Sequence, residues 1–384
     1  MTELWNERFT RPELLARVGR LAQAGGVRLV TLEDGNERGV RVLEFRTGTG
    51  FQFDVMVDRA MDIGRCELNG MALGWQSNAG FPGPWAYEPE GLGWLRGFGG
   101  GLLTTCGLDH TMFMADDSAE HFGYPAFKTQ TFGLHGRISY TPARLTGYGE
   151  RWEGDQCTLY ATGEMTQARV FGEQFVLRRR IEARLGESHL RIHDEVENIG
   201  NAPTPHMYLY HVNVGFPVVD DGAELLVPAS NPVARGAHSA EGYTRFHGPE
   251  AGYVEQVTEH DVAAEADGSV PVAIVNRARG IGVYEVFNQN QLPHHFIWRM
   301  LGRGTYVVGI EPSTNSTSGR LADKAQGKLT VLEPGQCRAY DLELGALNGA
   351  AEIDVFANRV AAARGRQDVS DAGVASPRPA PVSS

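Results

Sequence analysis

The chain has 384 residues, of which 42% are hydrophobic and 21% are charged, a composition typical of a globular protein. Its formal net charge of −12 excludes a general electrostatic attraction to nucleic acid or to an anionic membrane, so we expect neither as a partner. The 48 glycines and 19 prolines favour a fold of many strands joined by many turns.

The cysteines argue against a zinc knuckle or a redox dithiol, because they lie far apart and form no CxxC pair. They are Cys66, Cys106, Cys157 and Cys337. The N-terminal segment has no apolar core of the signal-peptide type, and no apolar run reaches the roughly 18 residues of a membrane span. We therefore expect a cytoplasmic protein with reduced thiols.

Residues 11–24 predict one amphipathic helix, with Pro12 in its first turn. Its apolar positions are Leu14, Leu15, Val18 and Leu21. We expect residues 1–24 to form a helical cover over one end of a sheet.

Period-two alternation of apolar and polar residues dominates from residue 25 to residue 360, with turns at Asp34-Gly35 and Asn69-Gly70. Strands without intervening helical patterns predict an all-β fold: a large antiparallel β-sandwich in one domain, with few short helices. Residues 365–384 have no apolar periodicity and are rich in Pro, Ser and Ala, so we expect a disordered tail.

Residues 80–135 are less regular and rich in glycine and aromatic residues. An insertion of this length in a compact domain is often functional, although a structured edge of the sandwich is an alternative.

The segment VENIGNAPTPHMYLYHVNVGFP, residues 196–217, contains a strand with two different faces. One face carries His211, Asn213 and Gly215, and the other carries the tyrosines and His206. An imidazole, an amide and a glycine in a row suit the wall of a polar cleft. The alternative is that His211 is a hydrogen-bonded structural histidine.

Glu311 in TYVVGIEPSTNSTSGR follows an apolar run and precedes a proline, so it lies where a buried strand ends. A carboxylate at such a position is a candidate general base, and a salt-bridged glutamate at the strand end is the alternative.

Together these segments resemble the aldose 1-epimerase (galactose mutarotase) superfamily, whose fold is a supersandwich of two large sheets. YHVNVGFP and VVGIEPST match its histidine and glutamate motifs, GLHGRIS (133–139) matches its L-H-G-G segment, and DRAMDIG (58–64) is similar to an early strand that contributes an arginine. GGLLTTCGL (100–108) and WRMLGRGTYVVGIEPSTN (298–315) resemble the uncharacterised DUF4432 branch. The sequence departs from the usual pattern at Tyr210 and Arg137, which leaves the substrate open.

The resemblance implies an enzyme that interconverts sugar anomers by acid–base catalysis with ring opening, without a cofactor or metal. Glu311 would act as the base and His211 as the acid, as reference pKa values of about 4.3 and about 6.5 favour. His135 and Asn213 would hold sugar hydroxyls, and an arginine would bind an anionic group if the sugar carries one. The substrate-binding set is His135, Arg59, Asn213, Arg137, His206, Arg299 and Asn315. Trp75, Trp94 or Trp298 could stack on the sugar, with a core role as the alternative.

Three alternatives remain open at this point. The first is a sugar isomerase, or an epimerase acting at another carbon of an open-chain or keto sugar. The second is a non-catalytic sugar-binding module. The third is a metal site built from His135, His206, His211 and Glu311, although His206 and His211 would face opposite ways on one strand. The oligomeric state is also open, with a homodimer as one alternative.

Overall fold

A computed structural model describes residues 1–373 of the chain, with side chains up to residue 365. Its strands, in chain order, are β1 (Thr2–Leu4), β2 (Glu7–Phe9), β3 (Gly26–Thr31), β4 (Arg41–Arg46), β5 (Phe51–Met56), β6 (Asp62–Leu68), β7 (Met71–Ala72), β8 (Trp75–Gln76), β9 (Gly100–Gly101), β10 (Leu103–Leu108), β11 (Ala115–Ser118), β12 (Thr129–Phe132), β13 (Arg144–Glu153), β14 (Gln156–Ala168), β15 (Gln174–Arg184), β16 (His189–Asn198), β17 (Thr204–Pro205), β18 (Met207–Gly215), β19 (Glu224–Leu226), β20 (Ala229–Arg235), β21 (Gln256–Val262), β22 (Ser269–Asn276), β23 (Ile281–Asn288), β24 (His294–Gly302), β25 (Thr305–Ser313), β26 (Val331–Leu332) and β27 (Cys337–Asn348). The α-helices are α1 (Arg11–Leu15), α2 (Arg320–Ala325) and α3 (Ala350–Gly373).

Two antiparallel sheets pack face to face, which confirms the predicted β-sandwich. The large sheet has 11 strands in the order β20-β21-β24-β25-β18-β10-β6-β5-β4-β3, with β7 added beside β6. The small sheet has 8 strands in the order β13-β14-β15-β16-β27-β23-β22-β19. The predicted turn at Asn69-Gly70 is confirmed, because both residues have the positive φ (51° and 78°) that a two-residue hairpin turn of type I′ requires.

The main hydrophobic core lies between the two sheets. Leu103, Val212 and Ile310 reach it from the large sheet, and Leu177 and Ile192 reach it from the small sheet. β18 lies in the middle of the large sheet, between β25 and β10, and every one of its residues is buried. Its outer face must therefore be covered by other parts of the chain.

A buried polar network crosses the core behind β18, and we call it the inter-sheet clamp. Arg179 of β15 donates two hydrogen bonds to Asp194 of β16, at 2.8 and 2.7 Å, and one to Asp62 of β6 at 2.9 Å. Tyr208 and Tyr210 of β18 donate their hydroxyl protons to Asp194, at 2.7 and 2.6 Å. The clamp consists of these five residues and joins the two sheets.

The N-terminal segment is less helical than its apolar spacing predicts. The α-helix ends at Leu15, and a separate 3₁₀ turn forms at Leu21–Gln23. The first two strands, which the prediction lacked, form a hairpin before the helix. Gly19 lies in the interior of the predicted helix 11–24, where glycine costs about 1 kcal/mol relative to alanine. Leu14 and Leu21 nevertheless reach the core, as their spacing indicates.

The C-terminal helix α3 packs Ile353, Phe356 and Val360 against residues of the small sheet. It extends through residues 365–373, the first part of the predicted disordered tail, and residues 374–384 lie outside the described residues. None of the helices within residues 1–373 is long and apolar enough to cross a membrane.

The clamp predicts a large loss of stability in Asp194→Ala. This change leaves the fully buried Arg179 guanidinium with only one carboxylate, Asp62, and removes the acceptor of both tyrosines, so we expect about 3–5 kcal/mol of destabilisation in urea unfolding. Arg191→Ala, on the same strand, removes an exposed ion pair with Glu343 and should cost about 0–1 kcal/mol. Equal small losses in the two variants would contradict a stabilising role for the clamp.

Candidate functional site

A histidine and a glutamate face each other on the outer side of the large sheet. β18 pairs antiparallel with β25, with Val212 opposite Ile310, and this register sets His211 beside Glu311. The Nε2 atom of His211 lies 3.4 Å from Oε1 of Glu311. Their side chains are only 6% and 4% exposed. The alternation of β18 thus brings together the two residues predicted to be catalytic.

The residues that flank His211 and Glu311 on their strands leave space beside the pair and place polar groups there. A Cβ atom on Gly309 would overlap Oε1 of Glu311, so glycine leaves room for the carboxyl group. Asn213 donates from Nδ2 to the carbonyl of His211 at 2.9 Å, while its buried Oδ1 has no protein partner. Nδ1 of His211 and Oε1 of Glu311 also lack a hydrogen-bond partner. Unsatisfied polar atoms that converge in one buried place indicate a site for a polar ligand.

His135 approaches the pair from a loop outside the sheet. Its ring centre lies 5.6 Å from that of His211, edge to face. Its φ of 57° places it in the left-handed region, and its Nδ1 accepts a hydrogen bond from the backbone N–H of Met112 at 3.4 Å. Because Nδ1 acts as an acceptor, the proton of the neutral ring lies on Nε2. His135 can therefore donate a hydrogen bond to a ligand.

Aromatic side chains close the outer face over the pair, and we call Trp94, Phe98 and Trp298 the aromatic cover. The rings of Phe98 and Trp298 lie 5.4 and 5.3 Å from His211, and that of Trp94 lies 4.8 Å from His135. Two of the three come from the irregular 80–135 segment, which folds back over β18 through 3₁₀ turns at Pro84–Ala86 and Gly93–Gly97. This segment covers the site rather than only extending a sheet edge.

Burial favours the neutral form of both members of the pair. Desolvation raises the pKa of Glu311 well above its usual range, and the nearby carboxyl groups of Glu285 and Glu255 raise it further. Desolvation lowers the pKa of His211 to about 4 and that of His135 well below its ordinary value. Both shifts favour a pair that holds one proton, on Glu311, at neutral pH. The expectation from reference pKa values, which places the proton on His211, differs because those values take no account of burial.

Two of the predicted anion-binding arginines are used elsewhere. Arg59 is buried, and its guanidinium donates to the backbone carbonyls of Pro82, Gly97 and Ser139 at 2.7–2.9 Å. It fixes the loops that carry the cover and does not face a ligand. Arg299 follows Trp298 on β24 and therefore points to the opposite face of the sheet. Both expectations are corrected by partners or orientations that local sequence does not reveal.

The structure also places His206 and Asn315 away from the pair. His206 lies on the core side, where its two nitrogens contact the carbonyl of Leu108 and the hydroxyl of Tyr340, each at 2.7 Å. Asn315 bonds to Asp323 at 3.0 Å and so supports the start of α2. Since His206 is not near His211, the four proposed metal ligands do not assemble. Within residues 1–373 no group of three or more His, Cys, Asp and Glu side chains could hold a metal ion.

Arg137 lies two residues after His135, and its half-exposed guanidinium pairs with Glu173 at 2.9 Å. Its predicted contact with substrate stays a prediction. Sequence reasoning missed Phe98, Met112 and Gly309 as parts of the site. The aromatic and glycine-rich run before residue 101 was the available signal for Phe98, whereas the backbone contact of Met112 left no signal in the sequence.

Comparison with known proteins identifies the family. The family described as "Domain of unknown function (DUF4432)" matches residues 37–346, so the chain belongs to this family. None of the curated proteins matches the sequence.

Solved structures show the same fold. A structure named as a "putative aldose 1-epimerase" from Klebsiella pneumoniae has a TM-score of 0.80 at 23% identity, over 88% of this chain and 87% of that chain. A galactose mutarotase-like protein from Clostridium acetobutylicum has a TM-score of 0.55 at 12% identity, over 84% and 98%. A galactose 1-epimerase from Lactobacillus acidophilus has a TM-score of 0.52 at 11% identity, over 84% and 99%. The expected galactose mutarotase-like fold is confirmed.

The lowered pKa predicts that His211 stays neutral down to about pH 4 and gains a proton only below that value. Histidine NMR titration of the folded protein measures this directly, with His211→Asn used to assign the signal. Exposed His193, whose pKa Asp341 raises, is the internal reference and should titrate above the ordinary histidine value. A His211 signal that titrates together with that of His193 would contradict the dry environment of the pair.

Proposed function

We propose that the protein is an aldose 1-epimerase-like isomerase that interconverts the anomers of a sugar through the open-chain aldehyde. The observation that carries this proposal is the buried His211–Glu311 pair, whose reacting atoms lie 3.4 Å apart. The names of the structural relatives, a "putative aldose 1-epimerase" and a galactose 1-epimerase, point to the same class of reaction.

The geometry of the pair suits anomeric chemistry. In a cyclic sugar the C1 hydroxyl oxygen and the ring oxygen are bonded to the same carbon. Two groups that lie 3.4 Å apart, such as Nε2 of His211 and Oε1 of Glu311, can therefore each contact one of these oxygens. The pair needs only one proton of its own. One member donates that proton to one sugar oxygen while the other member accepts a proton from the second sugar oxygen.

Ring opening then follows from the protonation state of the pair. Neutral His211 accepts the proton of the C1 hydroxyl at Nε2, and the protonated Glu311 donates its proton to the ring oxygen as the C1–O5 bond breaks. The products are a free aldehyde, an imidazolium and a carboxylate. Rotation about the C1–C2 bond and reclosure with the roles reversed yield the other anomer and restore the neutral pair.

The surrounding residues support these steps. Nε2–H of His135 can donate to the carbonyl oxygen that forms at C1, and Oδ1 of Asn213 can accept from a sugar hydroxyl. The aromatic cover excludes water, which strengthens the hydrogen bonds to developing charge. Its rings also offer apolar surfaces for the C–H face of a sugar.

Saturation-transfer NMR of anomer exchange tests the proposal on a panel of hexoses, pentoses, uronates and sugar phosphates. We expect the wild-type protein to accelerate exchange of at least one sugar. Glu311→Gln should lower that rate by about 10²–10⁴-fold, because the amide has no proton to give at the required acidity.

Glu285→Gln is the matched control. Glu285 is a second buried glutamate, which contacts His295 at 2.9 Å in the core between the sheets, and an amide can replace its protonated carboxyl group. We expect exchange to survive in this variant, because desolvation, the main cause of the raised pKa of Glu311, is unchanged by it. Full activity of Glu311→Gln would overturn the mechanism, and the appearance of a different sugar would assign an isomerase or another epimerase. Sugar binding without exchange above the spontaneous rate would assign a binding module.

A further inference from the structure

One row of cross-strand neighbours on the outer face of the large sheet connects the candidate site to the sheet edge. Arg235 of β20 pairs with Val257, Val257 with Trp298, Trp298 with Gly309, and Gly309 with Asn213. Residues opposite each other in a sheet share a face. Arg235 therefore lies on the same face as His211 and Glu311.

The guanidinium of Arg235 is oriented by a ring rather than by a carboxylate. Its central carbon lies 3.7 Å from the ring centre of Phe113. Within the part of the chain that the structure describes, its side chain forms no ion pair and no hydrogen bond. Stacking uses the flat face of a guanidinium and leaves its N–H edge free, which is the edge that binds carboxylate or phosphate in a bidentate manner.

Arg235 and His135 contact the same loop, Arg235 through Phe113 and His135 through Met112. Phe113 follows Met112, whose backbone N–H bonds to His135 and whose side chain packs in the cluster of the aromatic cover. The two contacts fix Arg235 and His135 through adjacent residues of one segment. The arginine is thus positioned with the site rather than independently of it.

The distance suits a sugar with a charged substituent. Three strand spacings separate β20 from β25, or about 14 Å between backbones. The side chains of Arg235 and Glu311 and one hexose ring together bridge that span. Trp298 lies between their strands on the same face, and its indole N–H donates to Glu255 at 3.0 Å.

Of the other candidate cations, Arg59 and Arg299 do not face the site, and Arg137 already forms an ion pair. Arg59 donates to backbone carbonyls, Arg299 points to the opposite side, and Arg137 pairs with Glu173. Among the residues that β18, β20, β21, β24 and β25 place on the outer face, Arg235 is the sole arginine or lysine. We propose that Arg235 binds an anionic substituent, a carboxylate or a phosphate, of the sugar whose anomeric carbon lies at His211 and Glu311. This inference rests on the proposed function and names its substrate class.

The test compares matched sugars that differ in charge: glucose, glucuronate and glucose 6-phosphate, and galactose with galacturonate. For each sugar, kcat/KM of anomer exchange and the Kd are measured by NMR with wild type, Arg235→Gln and Arg235→Lys. We expect wild type to favour an anionic sugar over its neutral partner. In Arg235→Gln that preference should fall by about tenfold to a hundredfold, the range for loss of a charge-assisted hydrogen bond, with Arg235→Lys in between.

Two further variants separate a specific contact from general charge. Arg303→Gln makes the same change in net charge at the exposed turn between β24 and β25, and it should keep the preference. Glu255→Gln removes the negative charge beside Trp298 and should strengthen binding of the anionic sugars. The effect of Arg235→Gln on the two uronates, compared with its effect on glucose 6-phosphate, shows whether the arginine binds a carboxylate or a phosphate.

The outcomes distinguish this inference from the proposed function. If wild type accelerates exchange of neutral and anionic sugars alike and Arg235→Gln changes no ratio, the inference falls and the proposed function stands. If no sugar shows accelerated exchange, the proposed function falls, and Kd values alone decide the inference. Weaker binding of the anionic sugars in Arg235→Gln but not in Arg303→Gln would then support it, and equal binding in both variants would overturn it.

Discussion

Asp194 accepts the hydroxyl protons of Tyr208 and Tyr210 while both of its oxygens hold Arg179. Because side chains alternate along a strand, two tyrosines fixed toward the core fix His211 toward the outer face. A slip of one residue would place a tyrosine under the aromatic cover and His211 in the core. The hydrogen bonds on the core side of β18 therefore set the register that places His211 on the outer face.

The second constraint is the exclusion of water from the His211–Glu311 pair. In water near neutral pH Glu311 would be ionised and His211 partly protonated, but burial under Phe98 and Trp298 disfavours the charged form of each. The neutral pair and the ion pair contain the same number of protons and differ only in where one of them lies. A sugar that opens and closes its ring needs that proton to move in both directions, so a buried pair with one mobile proton suits a reversible reaction.

Period-two alternation predicts the sandwich, and the resemblance of two motifs to the aldose 1-epimerase superfamily implies that His211 and Glu311 act together. Sequence reasoning does not predict contacts between a side chain and residues that are distant in the sequence. The carbonyl acceptors of Arg59 lie 23, 38 and 80 residues away, so no local pattern reveals that its donors are already used. The charge state of Glu311 likewise depends on burial by distant segments. Arg235, on a short strand at the sheet edge, shares the face of the site only through the pairing of four strands.

The most direct test of this account asks where the proton of the buried pair lies. Infrared difference spectroscopy at pH 7, comparing wild type with Glu311→Gln, isolates the absorption of this one carboxyl group. We predict that the variant loses the carbonyl band of a protonated carboxylic acid, since burial keeps the proton on Glu311. Loss of carboxylate bands alone would show that Glu311 is ionised beside a charged His211, and it would contradict the central claim that burial holds the pair neutral.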